Sequence, residues 1–275
     1  MRHRLAAVLR WLALLVAAAL FLLPFYLVLR NGLATREEIT SPGWTFLPTE
    51  LRWENFGALF TRTDVPFGRS LLNSAVVAVL QTAGELVVCS AAGYGLARIP
   101  HRHSGKVLGA VVATLLVPTS VTFVPSFVLV SSLGWISDLR GLVVPTLFSA
   151  LNAVLFRQFF LDFPGDLEDA GRIDGLGRWG VFRRIVLPNS TGFLAAIAAI
   201  TFIGSWNSFL WPLVIAQDAE SWTVQVALSG LLTAQNPQPH LLFAAAAVSI
   251  LPIVLLFAAL QRYLVRGVTE TGIDG

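Results

Sequence analysis

An all-α polytopic membrane protein with six transmembrane helices is the fold this sequence predicts, and three observations predict it. Only 13% of the 275 residues are charged, about half the 25% or so found in soluble domains. Mean hydropathy is +0.72. Six stretches reach the roughly 20 mostly apolar residues that a helix rising about 1.5 Å per residue needs to cross a bilayer.

The first stretch, Leu9–Leu29, follows Arg2, Arg4 and Arg10. A basic start also suits a cleaved signal peptide, but this run is longer than a signal core and no A-x-A site follows it, so a retained helix is expected. The second runs Leu71–Ala97. The third and fourth, Val107–Leu133 and Leu142–Phe160, are interrupted by Pro118, Pro125 and Pro145, which spans tolerate where neighbours satisfy the freed carbonyl. The fifth and sixth are Phe193–Ile215 and Leu241–Val265.

The net charge of +3 does not point to nucleic acid, because the basic residues cluster at the ends of apolar runs. With the N-terminus inside, 13 of the 19 Lys and Arg residues fall in cytoplasmic segments and six outside, and the outer loop Gln217–His240 has none. That bias predicts a multi-pass protein of the plasma (inner) membrane with both termini cytoplasmic. Cys89 is the one cysteine, so no intramolecular disulfide forms.

Two connections are too long for simple turns: the outer loop Asn31–Arg69 and the inner loop Asp162–Asn189. In the inner loop, Pro164-Gly-Asp166 reads as a helix start with acid at its positive end. Leu167, Ala170 and Ile173 or Asp174 then recur at helical spacing, and Gly175 allows a sharp reversal. Trp179, Phe182 and Ile185 give a second face. Composition leaves two readings open: a solvated interfacial helix without a partner, or one that grips something outside the membrane.

Other patterns lead nowhere. Gly175-Leu-Gly-Arg-Trp-Gly180 matches G-x-G-x-x-G without a preceding strand. Ser104-Gly-Lys106 lacks the rest of a phosphate loop, with Pro100 and Val107 where Gly and Ser or Thr belong. His101-Arg-His103 reads as a topology anchor, and no metal site is expected. Inside the spans, Glu85 lies four residues after Gln81, on the same face. A carboxylate at a helix centre costs about 2.5–3.5 kcal/mol on insertion scales, so it faces the bundle, a partner or a watery path. Glu85 and Asn152 are therefore candidates for a substrate path, with packing contacts as the alternative. Trp206 and Asn207, with Trp211 beyond, combine the amide and ring chemistry that binds sugars, although belt anchoring explains the Trp residues equally well.

The run Leu167-Glu-Asp-Ala-Gly-Arg-Ile-Asp-Gly175, then nine residues, then Ile185-Val-Leu-Pro188, resembles the cytoplasmic signature of ABC importer permeases: E-A-A, three residues, G, nine residues, I-x-L-P. Asp169 stands for the family's Glu and Gly171 for its second Ala. Arg69-Ser-Leu-Leu-Asn-Ser74, Ala91–Arg98, Trp206–Leu213 and Gln261–Gly267 extend the likeness toward the carbohydrate-uptake branch, specifically the smaller maltose-type permease. The resemblance implies a type I importer (MetI-like) core. Residues 1–68 would hold the first helix and outer loop, 69–267 a five-helix core with a coupling helix at about 164–178, and 268–275 a cytoplasmic tail. It implies that Leu167, Asp169, Ala170, Gly171, Asp174 and Gly175 couple to an ATPase, with Ile185, Leu187 and Pro188 fixing the approach to the fifth span. The implied partners are a second homologous permease, two cytoplasmic ATPase subunits that use ATP and Mg, and an extracytoplasmic solute-binding protein met by the outer loops. This chain would carry no cofactor, perform no covalent chemistry and bind no nucleic acid. The cargo expected is a sugar or oligosaccharide. Alternatives are another solute (a glycerol phosphate ester, polyamine or peptide) or a stand-alone secondary transporter, which the lack of an internal repeat disfavours.

Overall fold

The computed structural model describes residues 2–233 and 237–270, and among them every regular element is a helix. In chain order they are α1 Arg2–Gly32, α2 Arg36–Thr40, α3 Glu54–Thr61, α4 Phe67–Arg98, α5 Ser104–Leu115, α6 Thr119–Ser132, α7 Leu139–Val143, α8 Ala150–Leu161, α9 Gly165–Ile173, α10 Arg178–Val181, α11 Leu187–Asn189, α12 Thr191–Trp206, α13 Leu210–Ile215, α14 Val224–Thr233 and α15 Pro239–Glu270. A 3₁₀ turn, Val144–Thr146, follows α7, and a π turn, Phe182–Val186, joins α10 to α11. From residue 271 on, the expected tail lies outside the described residues.

Three helical stretches are long and apolar enough to cross a membrane unbroken: Ala6–Gly32, Phe67–Arg98 and Pro239–Gln261. They match the first, second and sixth expected spans. The other three expected spans are bent. α5 and α6 meet at 97°, the α7 segment and α8 at 43°, and Arg178–Asn189 meets α12 at 79°. A proline, which lacks an N–H and is best tolerated at a helix start, stands at each bend. Pro118 is the N-cap of α6, whereas Pro145 and Pro188 each stand one residue from the end of the segment that precedes its bend. The expected fifth span does not run on to Ile215. α12 stops at Trp206 and the helix restarts at Leu210, which puts Pro212 in the first turn of α13, where no intrahelical N–H bond is lost.

The chain divides into two compact units. One takes residues up to Leu71 together with Val226–Pro252. In it the long loop 31–69 is pinned by side chains. Asn55 Nδ2 donates to the Gly32 and Ala34 carbonyls, both at 3.0 Å. Thr35 and Glu38 form a reciprocal capping box on α2, and Glu38 Oε1 also accepts from Thr49 N and Oγ1 at 2.7 and 2.6 Å. Gly32 lets α1 and α15 approach closely: a Cβ there would stand 3.0 Å from the Ala244 backbone.

The second unit takes Leu72–Gln225 with the chain from Ile253. Its main core joins Tyr94 of α4, Phe156 and Phe160 of α8, and Val181, Phe182 and Val186 around the π turn. Gly93 allows α4 to lie against α8, since a Cβ would meet Phe156 Cβ at 2.5 Å and Arg157 N at 2.7 Å. A second cluster packs Val77, Val130, Leu142, Val143 and Ile215.

Candidate functional site: a surface helix tied to two spans

The inner loop folds as its spacing predicts. α9 opens after Pro164, with Asp166 and Glu168 in its first turn, and it closes in a Schellman motif. Leu176 N–H reaches the Gly171 carbonyl at 2.9 Å, and Gly175 N–H the Arg172 carbonyl at 3.0 Å. Gly175 makes this turn possible, with φ +83° in the region that side chains with a Cβ avoid.

α9 is two-faced. Leu167, Asp169, Ala170, Ile173, Asp174 and Gly175 are exposed, Ile173 at 86%. Glu168 and Gly171 are buried. Gly171 faces the segment leading into α12: a Cβ there would stand 2.2 Å from Ile185 Cδ1, so an Ala would displace the end of that side chain. Ile185 and Leu187 are half-buried and Pro188 exposed. Around them Asn189 Nδ2 donates to the Ile185 carbonyl and Ser190 Oγ to the Val186 carbonyl, both at 2.7 Å. These side chains bond carbonyls of the last turn before the break at Ser190.

Sequence reading passed over the residue that anchors this helix. Glu168 is 2% exposed. Its Oε2 accepts from Tyr94 Oη at 3.2 Å and from Arg172 Nη2 at 3.3 Å. Arg98 Nε lies 3.2 Å from Oε1, but its hydrogen goes to the Phe160 carbonyl at 2.7 Å, so Oε1 is held by charge and not by a hydrogen bond. Arg98 also donates to the Leu161 and Phe163 carbonyls. One guanidinium thus caps the C-terminal end of α8, where a cation is favoured, and pairs with α9. Tyr94 lies 4.8 Å from the Phe182 ring in a tilted pair and edge-on to Phe160 at 5.8 Å. Hydrophilicity alone could not single out Glu168 among four acids on α9 and its cap; its i, i+3 relation to Gly171 was the available signal.

Of the path candidates, Glu85 and Asn152 meet. Asn152 Nδ2 donates to Glu85 Oε2 at 2.7 Å and to Thr201 Oγ1 at 3.3 Å, and Gln81 Nε2 donates to Glu85 Oε1 at 3.2 Å. Three helices, α4, α8 and α12, therefore share one buried polar cluster, with Glu85 only 6% exposed. Trp206 and Asn207 make their contacts elsewhere. Trp206 is 2% exposed and stacks on Phe202 at 5.9 Å. Asn207 caps α12 and accepts from Gln225 Nε2 at 3.2 Å. Nearby, a cavity of about 700 Å³ sets the hydroxyls of Thr119, Ser120 and Ser208 beside the rings of Phe123, Phe209 and Trp211. Among the described residues, no group of three or more His, Cys, Asp or Glu could hold a metal ion.

Known proteins resemble this chain along nearly their whole length. The chain is 32% identical to the lactose transport system permease protein LacG of Rhizobium radiobacter over 97% of this chain and 96% of that one. It is 30% identical to the arabinooligosaccharides transport system permease protein AraQ of Bacillus subtilis (95% and 93%). It is 31% identical to the sn-glycerol-3-phosphate transport system permease protein UgpE of Yersinia pestis (94% of each). Its fold matches a chain in the crystal structure of a bacterial ABC transporter involved in the import of the acidic polysaccharide alginate, with a TM-score of 0.83, 20% identity, and 94% and 96% of the two chains covered. Residues 89–270, which hold the bent spans and α9, match the family described as binding-protein-dependent transport system inner membrane component. The chain therefore belongs to that family: it is an inner membrane permease of an ABC importer, a transport component and not an enzyme, of the kind that works with an ATPase and a substrate-binding protein.

Proposed function

We propose that this permease imports a sugar or oligosaccharide by alternating access, driven through α9 by ATPase subunits docked on it. The observation that carries the coupling reading is the division of α9. Its free face of Leu167, Asp169, Ala170 and Ile173 suits a partner's cleft, while Glu168 and Gly171 fasten it to the rest of the unit. ATP binding would close two ATPases, pull on α9 and tilt the spans. ATP and Mg would be bound by those subunits, with no cofactor on this chain. A second, homologous permease would complete the path, and the outer loops 31–69 and 217–240 would meet the binding protein. Both termini would be cytoplasmic, following the distribution of Lys and Arg.

Cargo is supported by two things. Relatives named for lactose and arabinooligosaccharides lie at 32% and 30% identity, and the cavity beside Trp211 pairs rings with hydroxyls, the chemistry that holds a polyhydroxylated solute. A glycerol phosphate ester is the second reading, favoured by the relative named for that solute. The assembled importer in proteoliposomes separates them: ATPase activity stimulated by binding protein with a sugar, and not with glycerol phosphate, supports the first. For coupling, Asp169→Arg with Gly175→Asp should abolish ATPase co-purification and transport. Retention of both would refute docking on α9.

A further inference from the structure

An apolar groove with a cationic mouth runs beside the bend at Ser190. It has a volume of about 360 Å³ and is lined by Leu86 and Val87 of α4, Leu187 of α11 and Leu194 of α12, with Trp179 and Arg183 among its wall residues. Val87 is 66% exposed and Trp179 64%. Arg183 is exposed, as is the adjoining Arg184. Among the described residues no salt bridge involves either.

Those features limit the occupant. Leu86, Val87 and Leu194 belong to helices that cross the membrane, so whatever fills the groove is apolar there. Arg183 and Trp179 precede α12, outside the stretch expected to span, where Trp rings settle at the headgroup level and where an Arg can lay its stem on apolar surface with its charge in water. An apolar helix from another subunit would cover the groove but leave Arg183 unpaired. A soluble partner would pair Arg183 but not reach Leu194. An anionic amphiphile satisfies both ends. We propose that this groove binds an anionic phospholipid, with an acyl chain along Leu86, Val87 and Leu194 and its phosphate on Arg183.

The assembled importer, in nanodiscs of phosphatidylcholine with or without phosphatidylglycerol, provides the test. Native mass spectrometry should show phosphatidylglycerol retained in preference to phosphatidylcholine. Arg183→Gln should reduce that preference about fivefold, as expected for one interfacial cation, and Arg183→Lys should keep most of it. Val87→Trp, which fills the groove, should remove the retained lipid whichever headgroup it carries. A photo-cross-linking residue at position 87 should capture lipid. Equal retention of the two lipids by the unaltered protein, an unchanged preference in Arg183→Gln, or capture of the second permease at position 87 would each overturn the proposal.

Discussion

Arg98 and Glu168 are bound across 70 residues of sequence, Nε to Oε1 at 3.2 Å, and the same guanidinium holds the last carbonyls of α8. One cation therefore fastens α9 to the ends of α4 and α8. Truncating one partner of a buried pair leaves the other charge buried and uncompensated, which costs about 3–5 kcal/mol when burial is complete. Arg98 keeps some access to water and its carbonyl partners, so Glu168→Gln should cost less, on the order of 1–3 kcal/mol. Arg98→Gln should cost more than Glu168→Gln because it also uncaps α8. Thermal unfolding of the purified complex gives the ranking. The ratio of ATP hydrolysed to solute moved should rise in Glu168→Gln; an unchanged ratio would show that the pair only packs.

Gly175 isolates a backbone effect. Its φ is +83° and nothing lies within 4 Å of where a Cβ would be. Gly175→Ala should therefore lose about 1 kcal/mol from left-handed strain alone, and Gly175→Asn distinctly less. ATPase retention during purification should follow the order Gly, Asn, Ala, Val.

The Glu85 cluster predicts non-additivity. Asn152→Leu leaves the Glu85 carboxylate with Gln81 as its described donor, and should destabilise by about 2–4 kcal/mol. Adding Glu85→Leu should recover most of that loss, because the stranded charge is gone. A double-mutant cycle in detergent measures the coupling, and simple addition of the two single effects would contradict it.

Two glycines of α4 two positions apart, Gly93 and Gly95, should respond oppositely. Gly93→Ala drives a Cβ into the α8 backbone, whereas Gly95 has open space around it. The first should destabilise by about 2 kcal/mol or more, and the second should gain about 0.5–1 kcal/mol from helix propensity. Melting temperatures of the two variants decide this.

The loop 31–69 carries a pH dependence. Glu38 is held below its ordinary 4.5 first by the Thr49 hydroxyl and then by backbone N–H groups of Thr49 and Thr35. A carboxyl depressed by folding contributes stability that is complete above its unfolded pKa and disappears as pH falls through the folded value. The loop should keep its order from neutral pH down to about 4.5 and loosen below it. Glu38→Gln should weaken the loop at pH 7 and flatten that dependence, as read by hydrogen exchange across residues 35–50.

Much of this was legible because lipid imposes simple rules. Apolar length located three spans, and proline located two of the three bends, at Pro118 and Pro145. The halt of α12 at Trp206 was hidden because Phe193–Ile215 is long and apolar enough to read as one span, although Gly204, Ser205, Asn207 and Ser208 flank the break and Pro212 marks the restart. Spacing placed α9 and its turn at Gly175. It could not show that Glu168 faces inward while Asp169 faces out, since that depends on Tyr94 and Arg98 more than sixty residues earlier. Likewise the Gln81–Glu85 face was readable as i, i+4, whereas the approach of Asn152 and Thr201 is a tertiary fact. Trp206 suggested an open ring for a sugar, and the fold stacks it on Phe202.

The breaks in the bent spans also map solvent. Where a helix stops inside a membrane, its loose carbonyls and N–H groups need protein or water, because hydrocarbon supplies neither. The 97° corner between Leu115 and Thr119 is such a point, and α5 has no buried residue with which to shield it. In the working importer that corner should therefore sit against protein or water, and faster labelling by a water-borne thiol reagent of a cysteine at Leu116 than of one at Leu20 on unbroken α1 would show that water reaches it.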